Sequence, residues 1–551
     1  MAIKRYTAIA DNTITNAYKS DLSTRGSGSN MGAADTVEIF SLYGQASGTS
    51  GLSSELSRAI LKFPIAGMQT DRSASIIPVS GNVSWYLRLF NAPHAETTPR
   101  NYHMAVSALE RAWDEGDGLD MESYSDKGYP LGSGSNWIYA RQDKKWQATG
   151  ADFDPTDASG TYTQYFDTGD EDLEIDVTPL VESWMHDKNS AFARRFDHGI
   201  IVYLSGNYEA YYSGSVKARG GQLKTGSEGE EIHNTNGAKR SYYTKKFFAR
   251  SSEFFFKRPV LEARWNSAKK DNRGNFFYSS SLAPAEDNLN TLYLYNYIRG
   301  QLRNIPSLEK TGGKIYVSLF SGTNPDQTIS QQQLHLAAGG DVVAALDFNA
   351  TGGLVSTGIY SCSICLTAAV SPHTQIYDVW HDGAGPSYAA TQFFTGSVYP
   401  EKIEASEFNP TNKYYTSITN LRPTYYTDET ARFRLYVRPR NWNPNIYTRA
   451  VSTIESNMIE SGAYQVYRVA DNRTVVDFGT ASYASTLGRG EGLHTQMSYD
   501  ISGNYFDLDM SMLEPGYSYG LRFAYYDGAI SSWQEQREYF KFRVEKTREF
   551  N

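Results

Sequence analysis

FFARSSEFFFKRPVLEARW occupies residues 247–265. Two aromatic runs, Phe247–Phe248 and Phe254–Phe256, flank a charged stretch, and from Val260 the pattern turns extended. A chain concentrates Phe, Arg and Trp in this way for one of two reasons. The stretch is a binding surface, or it closes a large β-sheet. The rest of the chain decides between them.

Period-2 alternation recurs from end to end, the signature of half-buried strands. In VSWYLRLF, Val83, Trp85, Leu87 and Leu89 share one face. In KIYVSLF, Ile315, Val317 and Leu319 do the same. Phe433, Leu435 and Val437 oppose Arg432, Arg434, Tyr436 and Arg438. Phe506, Leu508, Met510 and Met512 oppose Asp507, Asp509 and Ser511, and Phe540, Phe542 and Val544 oppose Tyr539, Lys541 and Arg543. One polar face per strand suits antiparallel sheets that leave one side in water. Composition agrees. The 41 Tyr residues favour strands and the 46 Gly residues favour turns. The chain therefore reads as all-β with polar loops.

With 551 residues, roughly three or four domains are expected. Turn-rich NSAKKDNRGN (266–275) reads as a linker, and YPEKIEASEFNPTN (399–412) marks a second change of character. The boundaries are set at 1–265, 266–402 and 403–551, a large domain followed by two β-sandwiches. In Ig-like sandwiches a late tyrosine bonds its hydroxyl back to the backbone. Tyr360 and Tyr519 are the candidates, an ordinary strand tyrosine being the alternative for each. Helical signals are few. In DVTPLVESWMHD, Thr178 can cap a short helix, Pro179 suits its first position, and Leu180 and Trp184 share a face. Val451, Ile454 and Met458 suggest a second short helix over 450–462, whereas 289–302 is ambiguous between strand and helix. Residues 23–35, 129–136 and 227–241 read as surface loops.

The net charge of −9 argues against duplex binding, which needs a net basic face. TKKFFAR (244–250) and LYVRPR (435–440) are basic, but solvated strand faces explain them. No window reaches the run of about 18 apolar residues that spans a bilayer, and the first residues contain no apolar core of signal-peptide length. The two cysteines, Cys362 and Cys365, form a C-x-x-C. A structural zinc site needs four ligands, and on a strand these two positions face opposite ways, so they read as core or edge residues.

No catalytic constellation stands out. The nine His are scattered, and H-E-x-x-H, G-x-S-x-G and phosphate-loop motifs are missing from the sequence. Asp378, His381 and Asp382 lie close together in YDVWHDG, either as a metal or base cluster or as a solvated hairpin turn. Asp114, Glu115, Asp117 and Asp120 in WDEGDGLD suggest Ca²⁺, a carboxylate pair or a plain acidic loop. Glu171 and Asp172 read as solvating the start of a strand. Sugar-stacking platforms are another option: Trp137, Tyr139 and Trp146 in one loop, and Tyr208, Tyr211 and Tyr212 in another. Core or interface packing is the competing reading for both. The expectation is no catalytic, cofactor-binding or metal residue, no cofactor, and no enzyme.

The first 265 residues resemble a known family. Its landmarks run in order: ADNTITNAYKSD, DTVEIF, SRAILKFPI, VSWYLRLF, the Trp-Asp-Glu-Gly of 113–116, NWIYARQDKKWQATGADFD, IDVTPLVESWMHD and DHGIIVYLSG. FARSSEFFFKRPVLEARW ends the series. Together they resemble the DNRLRE-type β-jelly-roll family, found in secreted bacterial proteins and some carbohydrate-binding modules. That resemblance implies that 247–265 closes the jelly roll, with Arg258 and Pro259 at the turn into the last strand. The chain departs from the pattern in a longer first loop, an insertion around 205–245 and the missing signal peptide. Residues 266–551 resemble virion structural proteins of tailed bacteriophages in phrases such as DNRGNFFY and ITNLRPTYYTDETARFRLYVRPRNWNPNIYT.

The expectation that follows is an N-terminal jelly-roll β-sandwich followed by two Ig-like β-sandwiches, in a non-enzymatic structural protein of a phage virion at the neck or collar, the tail or the capsid surface. It would be made in a host cytoplasm and assemble with itself and other virion proteins, without nucleic acid and without membrane insertion. The alternative is a carbohydrate-binding adhesin that touches host-surface glycans through the jelly roll.

Overall fold

A computed structural model describes residues 2–547 apart from 22, 44–53, 95–96, 122–133, 142–143, 148, 154–161, 187–196, 206–207, 210–216, 220–221, 225–241, 311, 323–332, 338–345, 368–371, 384–389, 404–413, 441–445, 447–455, 480–491 and 529. The chain divides into two compact units, Ala2–Trp265 and Asn266–Asn551. Both are all-β.

The first unit is a jelly-roll sandwich. Its smaller sheet has the order Ile3–Thr7, Val260–Arg264, Ser84–Leu89, Leu173–Asp176. Its larger sheet runs Tyr242–Phe248, Thr36–Tyr43, Ser54–Lys62, Ile200–Leu204, Tyr102–Ala108, Tyr162–Phe166, with Ala10–Thr15 also paired to Ser54–Lys62. Val260–Arg264 is a central strand, antiparallel to both neighbours, with Leu261 opposite Tyr6 on one side and Leu87 on the other. Arg258 and Pro259 lead into it from a short 3-10 turn, Phe255–Lys257.

Alternation assigns the faces. Trp85, Leu87, Leu89, Leu261 and Ala263 meet Val37, Ile39, Leu61, Met104, Val106 and Val202 in the main core. On the other face of the small sheet, Arg5, Arg88 and Arg264 interlock with Glu174 and Glu262. Glu262 lies 2.8 Å from Arg5, and Glu174 lies 2.7 Å from Arg264 and 3.4 Å from Arg88. Burial works against ionising Glu262, yet Arg264, Arg5 and Arg88 hold its carboxyl well below the usual carboxylate range. The large sheet is covered on its outer face too, by Trp113, Trp137, Ala140, Trp146 and Phe153 packed on Ile14, Ile60, Ala105, Ile201 and Tyr203. That second cover explains why Ile200–Leu204 is buried at every position.

Two helices accompany the sheets. Thr178–Met185 carries Pro179 in its first turn and buries Leu180 and Trp184, but Thr178 does not cap it. The Thr178 hydroxyl instead accepts the Trp85 N–H at 2.7 Å. Ile65–Ser73 has no counterpart among the sequence expectations. Its Arg72 makes a bidentate pair with Glu182 at 2.8 and 2.6 Å, and the Trp85 indole also donates to Glu182.

In the second unit, Ala350–Ser356 pairs with both Ile359–Leu366 and Ile315–Ser321, so an eight-stranded sheet folds over on itself around Leu292, Leu319, Tyr360 and Trp380. The ambiguous segment resolves into the strand Asn290–Tyr295 and a small hairpin, Tyr297–Ile298 with Gln301–Leu302. The last sandwich packs Tyr414–Ile418, Thr430–Pro439, Gly503–Asp509 and Ser498–Asp500 over a sheet that includes Phe540–Glu545, Ser518–Asp527 and Gly462–Arg468. Its core is aromatic: Phe506 stacks on Phe433 at 5.1 Å and on Tyr464 at 4.1 Å. Tyr519 makes the expected corner, its hydroxyl donating to Glu514 O at 2.9 Å. Tyr360 does not; its hydroxyl accepts the N–H of Ile305, 55 positions upstream. The helix expected at 450–462 lies partly outside the described residues, and 456–460 are not helical.

Candidate functional site

The acidic loop does not gather a cation site. Asp114 and Asp117 are exposed, while Glu115 turns inward. Glu115 takes Arg250 through Nε at 2.9 Å and Nη2 at 2.8 Å, and accepts the Asp11 N–H at 2.8 Å. Arg250 belongs to the 247–265 stretch, so the acidic loop is one jaw of the closing segment. The Arg250 N–H donates to Asp11 Oδ2. Asp11 is 1% exposed. Burial pushes its carboxyl up to about 7, with Glu115 adding to the rise against the Arg250 N–H. Its Oδ1 has no hydrogen-bond partner among the described residues.

The Gly- and Ser-rich loop at 23–35, expected at the surface, plugs into the same seam. Asn30 is fully buried and donates to Glu115 O and Ser135 O, both at 2.7 Å, while its Oδ1 accepts the Gly118 N–H at 2.9 Å. Gly118 is required here, because a Cβ would sit 1.8 Å from Asn30 O. Among the described residues, no group of three or more His, Cys, Asp or Glu could hold a metal ion.

The other candidates are absorbed by the fold in the same way. Asp378 and His381 do not lie in a solvated turn; Ile376–His381 is a fully buried strand. Asp378 accepts Arg273 Nη1 and Nη2, each at 2.6 Å, and the Trp380 indole N–H at 2.8 Å. His381 Nε2 lies 2.9 Å from Ser318 Oγ. Cys362 and Cys365 are both buried. Glu171 organises a turn by accepting the N–H groups of Asp167, Thr168 and Gly169, and Asp172 accepts that of Asn91. The basic stretch 244–250 is not a uniform solvated face. Lys246 pairs with Glu38 at 2.7 Å, but Lys245 is fully buried and donates to Asn91 Oδ1, Gly169 O and Glu171 O. Burial draws the Lys245 ammonium down to about 8, against Glu171, Asp172 and Asp170. Arg58, also buried, pairs with Glu209 at 3.1 Å and lies 4.8 Å from the Phe153 ring. Buried charges of this kind give no sequence signal beyond an ordinary strand Arg or Lys.

The aromatic candidates divide. Trp137 and Trp146 are core residues of the outer cover and offer no platform. Tyr211 and Tyr212 lie outside the described residues. Tyr208 is placed, and it joins a row that the sequence does not announce. Successive ring centroids along Tyr165, His103, Tyr208, Tyr243 and Tyr242 are 5.0, 5.8, 5.2 and 5.1 Å apart. Tyr165 is 46% and Tyr242 64% exposed; the three between are half-buried. His103 Nδ1 lies 3.2 Å from the Tyr208 hydroxyl, and the Tyr165 hydroxyl donates to Asn101 Oδ1. Tyr242 and Tyr243 come from one end of the large sheet's strand order, His103 and Tyr165 from the other. Curling of the sheet unites them, as the 5.5 Å contact between Tyr102 and Tyr243 shows. The signal was three separate Tyr-rich strands, and only the topology puts them side by side.

No family model matches the chain, and no curated protein matches it. Solved structures similar to parts of it include immunoglobulin-type molecules. A marsupial T cell receptor is 8% identical, with 50% of this chain and 72% of that chain covered and a TM-score of 0.15. The N-terminal Ig1-2 module of a Drosophila receptor protein tyrosine phosphatase is 8% identical, with 47% and 90% covered and a TM-score of 0.13. An amphioxus IgVJ-C2 molecule is 8% identical, with 46% and 96% covered and a TM-score of 0.11.

Proposed function

We propose that the chain is a non-enzymatic structural protein of a tailed-phage virion, assembled as a homo-oligomer at the neck or collar, the tail or the capsid surface, with a DNRLRE-type jelly roll as its first domain. One observation carries the non-enzymatic part. Among the described residues, candidate ionisable groups are spent inside the fold: Glu115 on Arg250, Glu182 on Arg72, Asp378 on Arg273, and Lys245 on three carbonyl oxygens. Catalytic groups need perturbed acidity together with access to a substrate. Of these groups, Glu182 and Lys245 depart from their ordinary acidity, and both are buried. The surface instead presents large aromatic side chains, Phe255 among them at 56% exposure, of the kind that fills the cores of protein interfaces.

The test is mass in solution by light scattering at micromolar concentration. A discrete closed oligomer is expected. A monomer that also fails to join purified particle components would refute the structural reading.

A second reading has its own support. The aromatic row from Tyr165 to Tyr242, exposed at its two ends, favours contact between the first domain and a host-surface glycan. Retention of the protein on a glycan extract tests it.

A further inference from the structure

We propose that Lys245 and Asn91 form an amide bond with each other, Nζ of Lys245 to Cγ of Asn91, which staples the two sheets of the first domain together. Lys245 is fully buried on the strand Tyr242–Phe248. Its Nζ lies 2.6 Å from Asn91 Oδ1 and 2.8 Å from each of Gly169 O and Glu171 O. All three acceptors are neutral. Among the described residues of the same domain, the three buried arginines each meet a carboxylate: Arg58 meets Glu209, Arg88 meets Glu174 and Arg264 meets Glu262. A buried cation ordinarily needs such a partner, and an aspartate at position 91 would supply it. The chain has an amide there, which offers no charge but does offer an electrophilic carbon. The place is one where a bond matters. Asn91 follows Ser84–Leu89 of the small sheet by two positions, and its flanks pair with the large-sheet strand: the Phe248 N–H donates to Phe90 O at 3.0 Å and the Ala92 N–H to Lys246 O at 3.1 Å. The bond would span 154 positions of sequence.

The contact to Oδ1 keeps Nζ within about 3.8 Å of Cγ, since a carbonyl bond adds at most about 1.2 Å. That is close to the separation at which a held pair reacts. Gly169 O and Glu171 O occupy two of the three N–H groups, and the third points at the Asn91 amide. Loss of that third proton leaves the lone pair directed at the amide. Enclosure promotes the loss. Nζ lies 5.2 Å from the Phe166 ring and 5.1 Å from the Phe247 ring, and burial draws the ammonium down to about 8 against Glu171, Asp172 and Asp170. His94, which feels the charges of Lys245 and Lys246, is itself held towards its neutral form by burial. The step balances without oxidant, reductant or co-reactant. The Nζ–Cγ bond forms, the Cγ–Nδ2 bond breaks, one of the two remaining Nζ protons passes to the departing nitrogen, and ammonia leaves. The proton lost at the start goes back to that ammonia, with the carboxylates of Glu171, Asp172 and Asp170 as its carriers. Burial bars Lys245 from outside substrates but does not hinder reaction with a neighbour already in place, and Asn91, half-buried, gives ammonia a route to solvent.

The experiment is intact mass and tryptic peptide mapping of the full chain after incubation at about pH 9, where the Lys245 amine is largely unprotonated. The wild-type chain is expected to be lighter than the linear chain by one ammonia and to yield a branched peptide joining the stretches that contain Asn91 and Lys245. Lys245→Arg keeps the cation and removes the nucleophile; Asn91→Ser removes the electrophile. Both variants should keep the full mass of their own sequences and give linear peptides, and the wild type should migrate faster than either on a denaturing gel. The branched peptide is read from the wild type itself, so the test stands even where a variant folds poorly. A wild-type chain of full mass with linear peptides alone would overturn the proposal. Loss of ammonia with linear peptides would mark an asparagine succinimide and overturn it as well. So would a branch through Lys246, or one that persists in Lys245→Arg.

Discussion

Replacing Asp11 by Asn should make the protein more stable at neutral pH. Asp11 is sealed in the seam between the start of Ala10–Thr15, the acidic loop and the closing segment. Its carboxyl rises from 3.8 to about 7, which corresponds to about 4 kcal/mol at 1.36 kcal/mol per tenfold change. The folded state therefore holds a proton that the unfolded chain has already lost between about pH 4 and pH 7. The contribution of Asp11 is most favourable near pH 4, declines as pH rises to about 7, and is flat above. Asparagine removes the titration, and its amide oxygen can still accept the Arg250 N–H. The variant should match the wild type near pH 4 and exceed it by up to about 4 kcal/mol at pH 8, as an upper bound. Urea unfolding of both proteins from pH 4.5 to 8, with hydrogen exchange in peptides of Ala2–Trp265 to identify the unit that opens, gives the difference. Taking the difference cancels the carboxylates that titrate the other way, such as Glu262. Equal pH slopes in the two proteins, or a variant weaker at pH 8, would refute the reasoning.

Glu262→Ala removes one of the two carboxylates that Arg5, Arg88 and Arg264 face on one buried side of the sheet and should cost about 3–5 kcal/mol in urea unfolding; a loss below about 1 kcal/mol would mean that water reaches this face. Gly118→Ala drives a Cβ into the Asn30 carbonyl, so limited proteolysis should cut residues 23–35 much faster than in the wild type. Tyr519→Phe removes the bond to Glu514 O and should cost about 1 kcal/mol, measured by thermal unfolding of the second unit; no change would show that the corner is decorative.

The strands were legible because alternation is local. Val83 to Leu89, Ile315 to Leu319 and Phe433 to Val437 are buried on the faces their periodicity assigns. Choices between distant partners were not legible. Thr178 has the chemistry of a cap, yet a strand N–H 93 positions away claims its hydroxyl. Trp137 and Trp146 read as platform candidates because a loop gives no sign that it will roof the outer face of a sheet. Asp378 and His381 resembled a hairpin because Asp-Gly follows at 382–383, but the partner that claims Asp378 is an Arg 105 residues earlier. The aromatic row depends on sheet curl, which no segment of sequence encodes alone.

Among the described residues, Ile3–Thr7 has only one neighbour in its sheet, the strand Val260–Arg264, and Arg5 meets Glu262 across a separation of 257 residues. The strand is thus synthesised long before the strand it pairs with. Until residue 264 emerges, Ile3–Thr7 and the facing edge of Ser84–Leu89 are both open templates, and ordering the chain between them must precede any return from their pairing. The first domain should therefore fold slowly and largely after its synthesis is complete. Nascent chains stalled before residue 260 would carry two unpaired edges, the species most exposed to aggregation and to strand exchange between copies.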